Sequence, residues 1–215
     1  MLNLKWLVRF PITSLMGVLT VLFLITGSSL YSEKPTELDQ VRDRFADGKV
    51  LHAGMIHEFT DSYTGEVELT EGEIWISKAQ YKVRADEQVV VVDGLLSRVY
   101  NAQQNKLVIS EYEPEEDDFA PSRFFSETDE IYQVAEVVRD EQTTSFILHS
   151  EDPFELFREV TIVLDRNLVP LEITAVDQMS NRIKTTFTDA GYMEEVGGVF
   201  ELVYPDDAEI IDLRK

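Results

Sequence analysis

Apolar and polar residues alternate along most of this chain with a period of two, which is typical of half-buried β-strands. The clearest stretch spans residues 65–100. In it, Glu71-Gly72 predicts a turn, because glycine tolerates a positive φ. Four consecutive valines then lead into Asp93-Gly94, a strong hairpin signal. The stretch therefore predicts an antiparallel meander of strands at the centre of the protein.

One segment of this meander, Ile74-Trp75-Ile76, is apolar at three consecutive positions instead of alternating. A strand of that kind is covered on both faces, or it has a ligand on one of them. Ile74, Trp75 and Ile76 are therefore candidate ligand-binding residues. We expect Trp75 near the edge of a cavity, because a buried indole N–H needs a hydrogen-bond partner.

A change of period predicts an amphipathic helix over residues 36–47. Thr36 can cap its first turn, Asp39 completes a capping box, and Gly48 ends the helix. We expect its apolar stripe to lie on the sheet and to cover part of a cavity. The stripe follows the spacing i, i+3, i+7 and consists of Leu38, Val41 and Phe45.

Further strands are predicted on both sides of an acidic segment, residues 111–118. One strand spans residues 49–60, several hairpins follow between residues 131 and 188, and alternation predicts another strand over residues 200–204. The acidic segment lacks EF-hand spacing and a glycine at its bend, which favours a solvated loop over a calcium site.

Three phenylalanines follow the acidic segment, at Phe119, Phe124 and Phe125. Such a cluster either plugs the core or forms a flexible lid over an apolar cavity. The residues alone leave both interpretations open.

The composition narrows the class of protein. A chain of 215 residues is long enough for one domain with a sizeable core. A formal net charge of −22 excludes nucleic-acid binding by phosphate neutralisation and disfavours anionic membrane surfaces. The simplest consequence of this charge is high solubility.

Residues 1–29 have the pattern of a secretory signal peptide, which leaves residues 30–215 as the mature domain. Lys5 and Arg9 precede an apolar run, and small residues lead to a predicted cleavage site after Ser29. The run is shorter than the roughly 20 residues of a membrane span, and an uncleaved anchor is the alternative. We expect export to the periplasm.

The residues that carry chemistry in other proteins are missing from this sequence. There is no cysteine, so neither a disulfide nor a lipidated N-terminal cysteine is expected. His52 and His57 fall on opposite faces of one strand, which disfavours a metal pair. Without a phosphate loop, nucleophile or zinc motif, we expect neither an enzyme nor a cofactor. A curved sheet can instead hold an apolar ligand.

The order of motifs resembles that of the outer-membrane lipoprotein carrier proteins (the LolA family) and their periplasmic lipid-binding relatives. The matching elements cover about residues 36–215. They are Gly72-Glu73-Ile74-Trp75-Ile76, the turn Val92-Asp93-Gly94, Tyr100-Asn101, and the closing segment over residues 200–211.

The resemblance implies a mainly β fold with a few helices, in which a curved antiparallel sheet forms a half-open β-barrel covered by a short helical lid. The lid would contain the phenylalanine cluster. Lys78 occupies the place of the family's lid-latching arginine but lacks its fork of donors, and Arg84 is a second latch candidate. The residues that are expected to contact a bound acyl chain are Leu38, Val41, Phe45, Ile74, Trp75, Ile76, Phe119, Phe124 and Phe125.

The function that the resemblance implies is a periplasmic chaperone that carries lipoproteins, or a related lipid, from the inner to the outer membrane. Its implied partners are an inner-membrane lipoprotein-releasing transporter and an outer-membrane receptor, or the outer membrane itself. An envelope sensor of the same fold is the alternative, and an envelope hydrolase is a third hypothesis.

Overall fold

A computed structural model describes residues 36–113 and 131–215. Pro35–Lys215 forms one compact unit. Its described elements are α1 (Glu37–Ala46), β1 (Lys49–Thr60), β2 (Val67–Ile76), β3 (Tyr81–Ala85), β4 (Gln88–Val92), β5 (Leu96–Asn101), β6 (Lys106–Glu111), β7 (Gln133–Arg139), β8 (Thr143–His149), β9 (Phe157–Asp165), β10 (Pro170–Asp177), β11 (Arg182–Glu194) and β12 (Glu209–Asp212).

The strands form a single sheet in the order β12-β6-β5-β4-β3-β2-β1-β11-β10-β9-β8-β7. The predicted mainly β fold with one open, curved sheet is confirmed. Among the strands described above, all pairings are antiparallel except that of β12, which adds to β6 in parallel. The chain thus returns from β11 to the far side of the sheet to place its last strand.

Helix α1 lies on one face of this sheet, called the inner face below. Its stripe of Leu38, Val41 and Phe45 is buried in the hydrophobic core, and the predicted capping box between Thr36 and Asp39 is present. Inner-face residues of most strands complete that core. Alternation along each strand therefore places one set of side chains under the helix and the other set on the outer face.

The ends of α1 are attached to distant strands. At its start, Glu37 makes two hydrogen bonds with Arg139 of β7, at 2.9 and 3.0 Å. These bonds hold the pKa of the Glu37 carboxyl below its ordinary value. Near its end, Arg44 donates to the carbonyl of Leu168 at 3.3 Å. The helix is therefore fixed across the β7–β11 half of the sheet.

Two predictions of local structure are wrong. Glu71-Gly72 is not a turn, because β2 runs through it from Val67 to Ile76. A Cβ at Gly72 would collide with the backbone carbonyl of Arg84 on β3, so the glycine serves close strand approach. The predicted strand over residues 200–204 is irregular in the structure. Lys82 of β3 donates hydrogen bonds to the carbonyls of Val199, just before this segment, and of Glu201, within it.

Within residues 36–113 and 131–215, no helix is long and apolar enough to cross a membrane.

Candidate ligand-binding cleft

A cleft of about 550 Å³ opens on the inner face of the sheet. Strands β1 to β5, the β3–β4 turn and the β5–β6 turn supply its described lining. Its volume lies within the range of roughly 300–1,000 Å³ that is usual for small-molecule sites. The walls are apolar side chains from strands β1, β3 and β4: Met55, Tyr81, Val83, Ala85 and Val90.

Strand register explains why these apolar residues meet. Val83 of β3 lies opposite Val90 of β4 and also opposite Ile74 of β2. Directly paired residues share a face, so a row of branched side chains crosses the inner face from β2 to β4. Because the turn between β3 and β4 is only two residues long, this register is tightly fixed.

The rim of the cleft is polar and acidic. Asp86 and Glu87 form the β3–β4 turn, and Asp86 adopts a left-handed backbone conformation with φ 48°. His57 reaches the rim from β1, and its Nδ1 lies 3.0 Å from the hydroxyl of Thr185 on β11. The remaining described rim residues are Thr70, Gln88, Asn101 and Gln103.

Five of the predicted ligand residues lie in the core beside this cleft. Leu38, Val41, Phe45, Ile74 and Ile76 are fully or almost fully buried. They belong to one hydrophobic cluster that also contains four of the five apolar cleft walls. The cleft is thus the open, solvent-reaching part of a continuous apolar interior. Whether the five residues contact a ligand remains a prediction.

Trp75 lies on the outer face, opposite to its neighbours Ile74 and Ile76. Its indole stacks on the His52 ring, with centroids 4.8 Å apart and planes 10° apart. Lys82 Nζ and Arg84 Cζ lie 5.6 and 5.7 Å from the indole centroid, which is cation–π distance. The sequence identified an unusual strand but could not assign its two faces.

The latch candidates and the phenylalanine cluster are placed as follows. Arg84 is on the outer face and pairs with Glu73 of β2. Lys78 is exposed in the loop after β2. Phe119, Phe124 and Phe125 lie outside the described residues, so the lid remains a prediction.

Tyr192 of β11 connects the sheet to α1. Its ring meets Phe45 edge-on at 5.7 Å between centroids, and Arg44 Cζ lies 4.7 Å from its ring centroid. The Tyr192 hydroxyl donates to the carbonyl of Leu168 at 3.2 Å. Burial raises the pKa of Tyr192 to about 12, because the charged phenolate would lose its hydration.

The described residues contain no group of three or more His, Cys, Asp or Glu side chains that could hold a metal ion. The inner-face cleft combines apolar walls with a polar rim, which is the usual make-up of a ligand pocket.

Neither a protein family nor a curated protein sequence matches the chain. Solved structures do. An uncharacterized conserved protein from Thermus thermophilus matches with a TM-score of 0.52 and 12% identity, over 82% of this chain and 99% of its own. A LolA superfamily protein from Nitrosomonas europaea matches with a TM-score of 0.43 and 7% identity, over 78% of this chain and 99% of its own.

A domain named for outer membrane lipoprotein sorting, from Vibrio parahaemolyticus, matches with a TM-score of 0.40 and 11% identity, over 75% of this chain and 93% of its own. The Thermus structure shows a shared fold, and the names of the other two are those of the family that the sequence resembles. Structures that are similar to this chain thus carry LolA-like names, at low identity and with TM-scores of 0.43 and 0.40. At these identities the likeness concerns the fold alone.

Proposed function

We propose that this protein is an exported carrier that binds the acyl chains of lipoproteins, or of a related lipid, in the inner-face cleft. The observation that carries the proposal is the cleft itself, a space of about 550 Å³ with apolar walls that continue into the core. The resemblance stated from the sequence motifs supports it independently.

The free-energy cost of exposing an acyl chain to water explains why a lipid carrier needs an apolar cleft. Each CH₂ group of an acyl chain that is exposed to water costs about 0.8 kcal/mol, so lipids do not cross an aqueous compartment unaided. A carrier must shield the chain and still release it. An open cleft beside a closed core meets both demands, because the ligand leaves without unfolding the hydrophobic cluster.

The acidic rim supports a particular class of ligand. Asp86 and Glu87 would repel the carboxylate of a free fatty acid at the mouth of the cleft. Ester- or amide-linked acyl chains carry no such charge. The proposed cargo is therefore an acylated protein or neutral lipid, and not a fatty-acid anion.

The cellular setting follows from the same proposal. Residues 1–29 direct export and are removed, and residues 30–215 act in the periplasm. The proposed partners are an inner-membrane transporter that releases lipoproteins and an outer-membrane receptor, or the outer membrane itself. The protein binds and delivers its cargo and does not transform it.

Depletion of the protein in its own cell tests this function. We expect lipoproteins to accumulate in the inner-membrane fraction, as measured by membrane separation and immunoblotting. A copy with Val90→Glu, which places a charge in the cleft, should fail to restore sorting. Val89→Glu, on the outer face of the same strand, should restore it. Normal lipoprotein sorting with a transcriptional change alone would contradict a carrier and favour the sensor hypothesis.

A further inference from the structure

Three loops at one end of the sheet are tied into a row. They are residues 61–66 between β1 and β2, residues 150–156 between β8 and β9, and residues 178–181 between β10 and β11. The pairing of Thr60 with Arg182, and of Asp177 with Phe157, places their strand ends side by side. Together, residues 61–66, 150–156 and 177–181 are called the loop tip below.

Hydrogen bonds connect neighbouring loops of the tip. The Ser62 hydroxyl donates to the carbonyl of Met179 at 2.8 Å, and the Ser62 N–H donates to Asn181 Oδ1 at 3.0 Å. The side-chain amide of Gln178 donates to the carbonyl of Glu155 at 3.0 Å. The row is therefore a connected surface, since its middle loop is bonded to both of its neighbours.

Each loop of the tip presents one large apolar side chain to solvent. Tyr63, Phe154 and Met179 are 96%, 94% and 74% exposed. None of them contributes to the core, so their exposure lowers solubility without stabilising the fold. Exposed aromatic residues and methionine are the side chains that typically anchor protein–protein contacts.

All three apolar residues are held by the same local device. An aspartate two residues earlier accepts a hydrogen bond from the backbone N–H of the apolar residue. The pairs are Asp61 with Tyr63, Asp152 with Phe154, and Asp177 with Met179, at 2.8, 2.9 and 2.8 Å. Such turns fix the backbone of the loops and lower the ordering entropy that binding would otherwise cost.

The charge of the tip indicates what it would bind. Its loops carry no Lys or Arg, and they carry Asp61, Glu66, Glu151, Asp152, Glu155 and Asp177. An anionic membrane surface would be repelled by these carboxylates. A protein segment with Lys or Arg beside apolar residues would complement both the negative charge of the tip and its exposed apolar side chains.

We propose that the loop tip docks a partner protein through a basic, apolar-bearing segment, with Tyr63, Phe154 and Met179 as its anchors. This inference goes beyond the proposed carrier function and does not depend on the cleft binding a lipid. The tip lies at the same end of the sheet as the β3–β4 turn, which forms the cleft rim. A docked partner would therefore sit beside the cleft.

The test uses a synthetic amphipathic peptide of lysine and leucine and the mature protein. Binding is measured by fluorescence anisotropy, and the contact region is mapped by hydrogen exchange. We expect protection confined to the loop tip. The triple variant Tyr63→Ser, Phe154→Ser, Met179→Ser should weaken binding about ten-fold or more, because the anchors are lost while the charge is unchanged.

Matched variants separate this site from general attraction between a basic peptide and an acidic protein. Leu95→Ser with Val203→Ser removes exposed apolar residues outside the tip and should change affinity less than about two-fold. Glu66→Gln with Glu151→Gln should weaken binding more than Glu113→Gln with Glu195→Gln, which removes the same charge at the opposite end of the sheet.

Three results would overturn the proposal. The first is equal binding by the triple variant and the wild type. The second is equal binding of a peptide in which glutamate replaces every lysine. The third is stronger binding of phosphatidylcholine vesicles than of the peptide through the same three side chains, which would assign the tip to a lipid surface. A Val90→Glu protein that still binds the peptide would separate this site from the cleft.

Discussion

Neighbouring residues of β2 lie on opposite faces of the sheet and have different surroundings. A single glycine on the same strand allows β3 to approach closely. Ile74 and Ile76 are buried on the inner face, whereas Trp75 between them stacks on His52 outside. On the same strand, Gly72 leaves the room in which the backbone of β3 passes. The local pairing of β2 with β3, and with it one wall of the cleft, therefore depends on the absence of a single methyl group.

Gly72→Ala tests this dependence. Its new Cβ would overlap the carbonyl of Arg84, so strand pairing must adjust, and we expect a loss on the order of 1–3 kcal/mol in the free energy of unfolding. Urea unfolding measures it.

Gly191→Ala in β11 is the matched control, because nothing lies within 4 Å of a Cβ placed there. This variant should be neutral, or more stable by about 0.4–1 kcal/mol. Equal midpoints for the two variants would contradict the close approach at Gly72.

Among the secondary-structure elements, the short helix α1 depends on its attachments more than on its own length. Ten residues are marginal for an isolated helix in water. Capping, the buried stripe and the contacts of Arg44 and Tyr192 stabilise it on the sheet. Since that stripe belongs to the same cluster as the cleft walls, loosening α1 would also disturb the cleft.

The Tyr192 phenol gives this attachment a pH dependence. Its pKa of about 12 in the folded protein lies above the ordinary value of 10.0, so the neutral phenol stabilises the fold fully below pH 10. That contribution, on the order of 2 kcal/mol, is lost as pH rises from about 10 to about 12.

Tyr192→Phe should therefore be less stable than the wild type at pH 9, by about 1 kcal/mol for the lost hydrogen bond. The difference in free energy of unfolding between the two proteins should vanish or change sign towards pH 12, as measured by urea unfolding. Tyr63→Phe, at an almost fully exposed position, is the control and should show no such trend. If the stability difference between wild type and Tyr192→Phe stays constant from pH 9 to pH 12, burial does not raise the pKa of the Tyr192 phenol.

Local signals predicted the elements better than they predicted the site. The capping box at Thr36 and the stripe of α1 were readable because they involve residues three to seven positions apart. The turn predicted at Gly72 was wrong because its cause, the backbone of β3, is distant in sequence. The parallel pairing of β12 with β6 is equally non-local.

The cleft illustrates the same limit. Its walls, such as Met55 and Val83, look like ordinary core positions in the sequence. The space in front of them exists only in the assembled sheet, because residues of five different strands line it together. The rim carboxylates of Asp86 and Glu87 resembled any acidic turn in a chain with 41 Asp and Glu. One signal was available, since Val90 belongs to a valine run with two apolar faces.

At the scale of the whole molecule, the inner face of the sheet has two parts, a core that is covered by helix α1 and a cleft that is open. Helix α1 seals the core over the β7–β11 half of the sheet, while strands β1 to β5 leave the cleft open beside it. The outer face holds Trp75 with its neighbours His52, Lys82 and Arg84. The loop tip lies at the end of the sheet where the cleft rim also lies. Cargo binding and partner docking are thus proposed for adjacent but distinct surfaces.

The central claim is that acyl chains bind on the inner face, and neighbouring valines of β4 test it directly. Val90 lies opposite Val83 and Val99 and lines the cleft, whereas Val89 lies opposite Arg84 and Tyr100 on the outer face. Both valines are half-buried. The measurement is the affinity of the mature protein for a neutral, pyrene-labelled monoacylglycerol, followed by its fluorescence.

Val90→Glu should weaken binding about ten-fold or more, because the carboxylate would meet the acyl chain in an apolar site. Val89→Glu should bind within about two-fold of the wild type. Val90→Phe, which fills the cleft without adding charge, should also weaken binding and controls for any loss of folding in Val90→Glu. If all three variants bind the probe as the wild type does, or if the change at Val89 weakens binding as much as the changes at Val90, acyl chains do not bind in this cleft.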